Sequence, residues 1–90
     1  MNEVITLVGE ERRTVLAGLR SIGQSEFYQA QATGYRPELK FVLADYLDYN
    51  GETLIEHTGT LYRVLRTFRA GQELEIVVSL ASAEEVEAYG

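Results

Sequence analysis

The most restrictive feature of this chain is an alternation near its C-terminal end, where Leu74, Ile76, Val78 and Leu80 alternate with Glu73, Glu75, Val77 and Ser79. A period of two belongs to a strand with one face buried. A second segment repeats it: Leu39, Phe41 and Leu43 lie on one side with Lys40 opposite, and Val42 and Ala44 add partial burial of the second face. Leu61 to Phe68 places Tyr62, Val64 and Phe68 on one face, with Arg66 interrupting, and Arg63, Leu65 and Thr67 on the other. Strands of this kind are unstable singly, so the chain must fold by pairing them.

Turn residues indicate how the segments connect. Asn50-Gly51 is a two-residue hairpin signal, because both central positions of a type I′ turn need φ > 0. Thr58-Gly59 and Ala70-Gly71 are further turn positions, and Gly9-Glu10-Glu11 separates residues 4–8 from 12–22, both rich in Val, Ile, Leu and Thr. These two read as strands. Val15, Leu16 and Leu19 also fit helical spacing, so for Arg12 to Ile22 the period leaves a helix open. The expected fold is mainly β: a small antiparallel β-barrel or sandwich with one long loop carrying a short helix.

That helix is expected from Ser25 to Gly34, with Ser25 as N-cap, Glu26 at the positive end of the dipole and Gly34 at C′. At about two turns it needs packing, through Phe27 and Ala30, to persist. It lies in an excursion over residues 23–37. Residues 1–81 form a single barrel domain and residues 82–90 an acidic C-terminal tail. Within that tail Ser82-Ala83-Glu84-Glu85 fits a capping box, and Val86 and Tyr89 lie three apart, so 83–89 can make one or two helical turns. The terminal position favours a frayed tail over that helix.

Composition narrows function. At 90 residues, size scaling gives burial of about 64% of the unfolded surface, enough for one small core. With no cysteine, disulfide scaffolds, thiol catalysis and thiolate metal sites are excluded. The N-terminal apolar run is too short for a signal peptide and no stretch approaches 18 apolar residues, so a soluble intracellular product without membrane contact is expected. The net charge of −6 argues against binding DNA by phosphate neutralisation. Of that charge, −5 sits in Glu73, Glu75, Glu84, Glu85 and Glu87.

The chemical motifs fail on inspection. Gly18-Leu19-Arg20-Ser21-Ile22-Gly23-Gln24-Ser25 matches a phosphate-binding loop except that Gln24 replaces the lysine that reaches the phosphates. A calcium loop centred on Gly51 places Tyr46 and His57 where carboxylates are required. His57 has no second histidine or placed nucleophile and reads as a turn residue. No feature asks for an enzyme, a metal or another cofactor.

Arg63, Arg66 and Arg69 recur every third residue, which on a regular strand sends Arg66 to the face opposite the other two. They can pair with Glu73 and Glu75 across the hairpin, or meet acidic surfaces of a neighbouring subunit. The excursion holds Phe27, Tyr28 and Tyr35 among three glutamines, a composition suited to protein contacts.

Ser21-Ile22-Gly23-Gln24-Ser25-Glu26-Phe27-Tyr28-Gln29-Ala30, followed by Gly34-Tyr35-Arg36-Pro37, resembles the tailed-phage head closure proteins, also called head-tail adaptors or stoppers. In the same order, Asp48-Tyr49-Asn50-Gly51-Glu52 resembles that family's acidic hairpin. Gly59 to Phe68 resembles its Y-x-V-x-R-T-aromatic strand, and Glu73 to Leu80 fits its last strand. The resemblance spans about residues 4–80, and Glu84 to Gly90 lies outside it.

The resemblance implies a structural virion protein, encoded by a phage or prophage. It would be monomeric before assembly in the host cytoplasm, and would then form a ring below the portal and adaptor proteins. That ring closes the DNA exit channel after packaging and offers an attachment surface to tail-completion or tail-tube proteins, touching packaged DNA without sequence-specific binding. Gln24, Glu26, Phe27, Tyr28, Gln29, Gln31 and Tyr35 would form the channel or inter-subunit loop. Arg63, Arg66, Arg69, Asp48 and Glu52 are ring-contact candidates. The alternatives are a tail-completion protein, or a small barrel binding single-stranded nucleic acid by stacking on Phe27, Tyr28 and Tyr35, which the acidic charge opposes.

Overall fold

The structure, a computed structural model, describes residues 3–22 and 37–89. Six strands form in chain order: β1 Glu3–Val8, β2 Arg12–Arg20, β3 Leu39–Leu43, β4 Leu54–His57, β5 Thr60–Ala70 and β6 Glu73–Leu80. A 3-10 turn spans Tyr46–Asp48, and a short helix α1 spans Ala83–Tyr89. The strands close into an antiparallel barrel in the order β1-β2-β3-β6-β5-β4. The choice left open at Arg12 to Ile22 resolves to strand, because β2 pairs with β1 through its first half and with β3 through its second.

Alternation places Ile5, Leu7, Ala17, Phe41, Leu43, Ile55, Leu74, Ile76 and Val78 in one core. Phe41 is fully buried, with the rings of His57 and Tyr62 edge-on to it at centroid distances of 5.3 and 6.1 Å. Such pairs add about 0.5–1.5 kcal/mol beyond the area they bury. On the outer face of β3 and β6, Val42 and Val77 are also fully buried, which explains the two-sided apolarity of β3. Leu80 departs from its strand's pattern: it is 56% exposed because the sheet ends there.

The turns follow the sequence with two corrections. Thr58 and Gly59 both take positive φ, 49° and 82°, and join β4 to β5 as a type I′ hairpin. The β5–β6 turn is Gly71-Gln72 rather than Ala70-Gly71, since Ala70 pairs with Glu73 and it is Gly71 that takes φ 63°. Asn50-Gly51 does not make a hairpin. Gly51 does adopt φ 82°, yet β4 pairs with β1 and β5, and β3 with β2 and β6. A left-handed glycine fixes a local bend without choosing which strands meet across it.

The C-terminal segment is helical rather than frayed. The backbone N–H of Ser82 donates to Glu85 Oε1 at 3.0 Å and that of Glu85 to Ser82 Oγ at 3.2 Å, a reciprocal capping box. Glu85 also reaches Arg63 Nε on β5 at 3.6 Å, which ties α1 to the barrel wall.

Candidate functional site

The pairing register gives the barrel two different ends. At one lie the Gly9-Glu10-Glu11 turn, the segment 44–53 and the Gly71-Gln72 turn. From the other emerges the connection between β2 and β3, beside the Thr58-Gly59 turn and the start of α1.

Segment 44–53 closes the first end. Asp45 Oδ1 accepts from the Leu47 backbone at 3.0 Å and from Gln72 Nε2 at 2.8 Å, while the Tyr46 N–H donates to the Gln72 carbonyl at 2.8 Å. Tyr46 and Tyr49 pack on the core, and the Tyr49 hydroxyl donates to the Glu52 carbonyl. Burial, then the charge of Glu52, pushes the Tyr49 hydroxyl above its ordinary range.

Glu52 is the centre of this closure. Its residue is 7% exposed, it receives Arg13 Nη2 at 2.6 Å, and its other oxygen receives the Asn50 N–H at 2.7 Å. Arg13, on the inward parity opposite Leu7, also donates to the Asp48 carbonyl at 2.7 Å. Burial alone would raise the Glu52 carboxyl, but the Arg13 hydrogen bond, the backbone N–H groups and the Arg13 charge outweigh it and hold it below the ordinary value. A cleft of about 460 Å³ lies over the cluster, lined by Gly9, Glu10, Glu11, Arg13, Asn50 and Gly51 with Glu52. Gly9 forms part of its wall, where an added Cβ would stand 3.1 Å from Glu52 Cγ and press on that side chain. Of the two acidic contact candidates, then, Glu52 holds the loop to the barrel, and Asp48 remains on the exposed surface with its carbonyl engaged.

The arginines are arranged by a bulge. Val64 pairs with Val78 but Arg66 pairs with Val77, so Leu65 is an extra residue and the alternation shifts by one. Arg63 and Arg66 therefore share the outer face, and Arg69 turns to the inward parity at the barrel's closed end, correcting the regular-strand assignment. The sequence carries the trace of this shift in Arg66, which interrupts the apolar alternation. Arg66 stacks 4.2 Å from the Phe68 ring centroid and Arg69 3.6 Å from that of Tyr46. Glu75 faces Phe68, and its carboxylate joins Lys40 at 3.3 Å and Arg20 at 3.6 Å.

His57 is not a turn residue. It ends β4, is 8% exposed, and its Nε2 lies 2.9 Å from Glu3 Oε1. An ionised carboxylate only accepts, so Nε2 donates. The pair joins β4 to the start of β1 across the seam that closes the barrel. Among the described residues no three His, Asp or Glu side chains gather to hold a metal ion, and no described helix is long and apolar enough to cross a membrane. Gly18 and Arg20 of the phosphate-loop match belong to β2, an extended strand.

The expected helix at 25–34 and the loop candidates Gln24, Glu26, Phe27, Tyr28, Gln29, Gln31 and Tyr35 lie outside the described residues. Their attachment points are described: Arg20 and Lys40 are cross-strand partners, so residues 21–39 leave and return between adjacent strands. Comparison with protein families, curated proteins and solved structures found no match to this chain.

Proposed function

We propose that this chain is a structural subunit of a tailed-phage connector that forms a ring below the portal and adaptor, closes the DNA channel after packaging and offers the tail its attachment surface. The observation that carries the reading is the connection between β2 and β3. Two antiparallel neighbours need only a two-residue turn, yet residues 21–39 are placed between Arg20 and Lys40. Connections this long in small domains are uncommon, and they are functional or disordered. The inserted segment holds the motif most like the head closure proteins, and between Arg20 and Arg36 it has no basic residue. A loop of that composition can stand in a DNA channel without binding phosphate.

The closed end adds support from the opposite direction. Segment 44–53 is locked by Glu52, Arg13, Asp45 and Gln72, which provides a fixed base at the end opposite the β2–β3 connection. Deleting the gene from the phage or prophage that encodes it should give DNA-filled heads that leak or remain tailless in electron micrographs. Normal tailed particles would overturn the proposal. Recovery of the protein with free tails instead of heads would assign it to tail completion.

A further inference from the structure

We propose that β5 is an acceptor edge, whose stretch Leu65–Ala70 takes up one extended acidic strand from a different protein. The barrel is closed in order but not along its whole height. β4 pairs only with Thr60–Arg63, and the Val64 N–H, donating to the Thr53 carbonyl at 2.9 Å, makes the last bond on that side among the described residues. β5 runs on to Ala70 with β6 as its one described partner.

The direction of the backbone groups follows from the two hairpins. His57 and Thr60 flank the first turn, so Thr60, Tyr62 and Val64 face β4, in agreement with the Val64–Thr53 bond. Ala70 and Glu73 flank the second, so Ala70, Phe68 and Arg66 face β6. The bulge at Leu65 reconciles the two phases, and it leaves the N–H and C=O of Thr67 and Arg69 pointing to the side that β4 has vacated. Thr67, Phe68, Arg69 and Ala70 are all exposed.

Natural edges are blunted by proline, by cover or by charge. Among the described residues this one has only charge, of a single sign: the stretch Leu65–Ala70 holds Arg66 and Arg69 and no carboxylate. A second copy pairing edge to edge would bring two such sets of arginines to one seam, and like charges on facing strands destabilise. An acidic strand reverses that sign. Its outer-face side chains would lie beside Arg66 and the 37% exposed ring of Phe68, so carboxylates alternating with apolar residues fit.

The test is titration of the isotope-labelled full chain with the peptides acetyl-(Glu-Val)3-Glu-amide and acetyl-(Lys-Val)3-Lys-amide. The glutamate peptide should shift the Thr67 and Arg69 amides and slow their exchange, and the lysine peptide should do neither. Thr67→Pro removes an N–H that makes no bond to β6, so the remaining amide spectrum should persist while the response is lost. Arg66→Glu, on the outer face, should transfer the response to the lysine peptide. The proposal is overturned by absence of a response at millimolar peptide, by equal response to both peptides, by a response that survives Thr67→Pro in the folded protein, or by dimerisation of the chain alone through this edge.

Discussion

At the scale of single residues, the clearest dependence is that of Glu52. Its folded carboxyl titrates below the ordinary value, so its stabilisation is complete above that value and drains away as pH falls through the lower, folded one. Glu52→Gln keeps an acceptor for Asn50 but removes the charge beside Arg13, and should cost about 1–3 kcal/mol at neutral pH. Urea unfolding of both proteins from pH 7 downward checks this, since the difference should narrow below the ordinary carboxylate range. A constant difference would remove Glu52 as the source. Nothing in the sequence selects Glu52 from fourteen acidic residues, because its partner Arg13 lies 39 positions away and meets it only after β1 and β2 have paired. The sequence hides the place of His57 for the same reason, its partner Glu3 being 54 positions distant.

Among the elements, α1 and β5 show opposite kinds of legibility. The capping box of α1 is a three-residue pattern and survives into the structure, although a helix of seven residues has little stability of its own. Ser82→Ala should therefore cost about 1 kcal/mol locally and fray α1 without unfolding the barrel. Faster amide exchange at Glu85 with unchanged exchange at Ile76 is the expected result, and equal acceleration at both would show that α1 is integral to the barrel. In β5 the residues gave the strand but not its phase, which a single inserted residue at Leu65 resets. Asn50-Gly51 is a similar case: its local conformational preference fixes a bend, while strand pairing depends on the other strands.

For the molecule as a whole, alternation was sufficient to predict an antiparallel β-structure and insufficient to order it. Closure comes from β1 meeting β4 and β3 meeting β6, pairs of strands that no single turn connects. Charge remains legible at this scale. With a net charge of −6 and Glu75 beside Lys40 and Arg20, titration with single-stranded oligonucleotides at low salt should show no binding by fluorescence. Saturable, salt-sensitive binding would favour the stacking alternative.

The pairing of Arg20 with Lys40 has a consequence for how such a protein can change over generations. Whatever sequence lies between them begins and ends about 5 Å apart, on strands already fixed by the core. Lengthening, shortening or exchanging that insert leaves the geometry of its two attachment points unaltered. The barrel can then serve as a constant mount for inserts of different length and sequence.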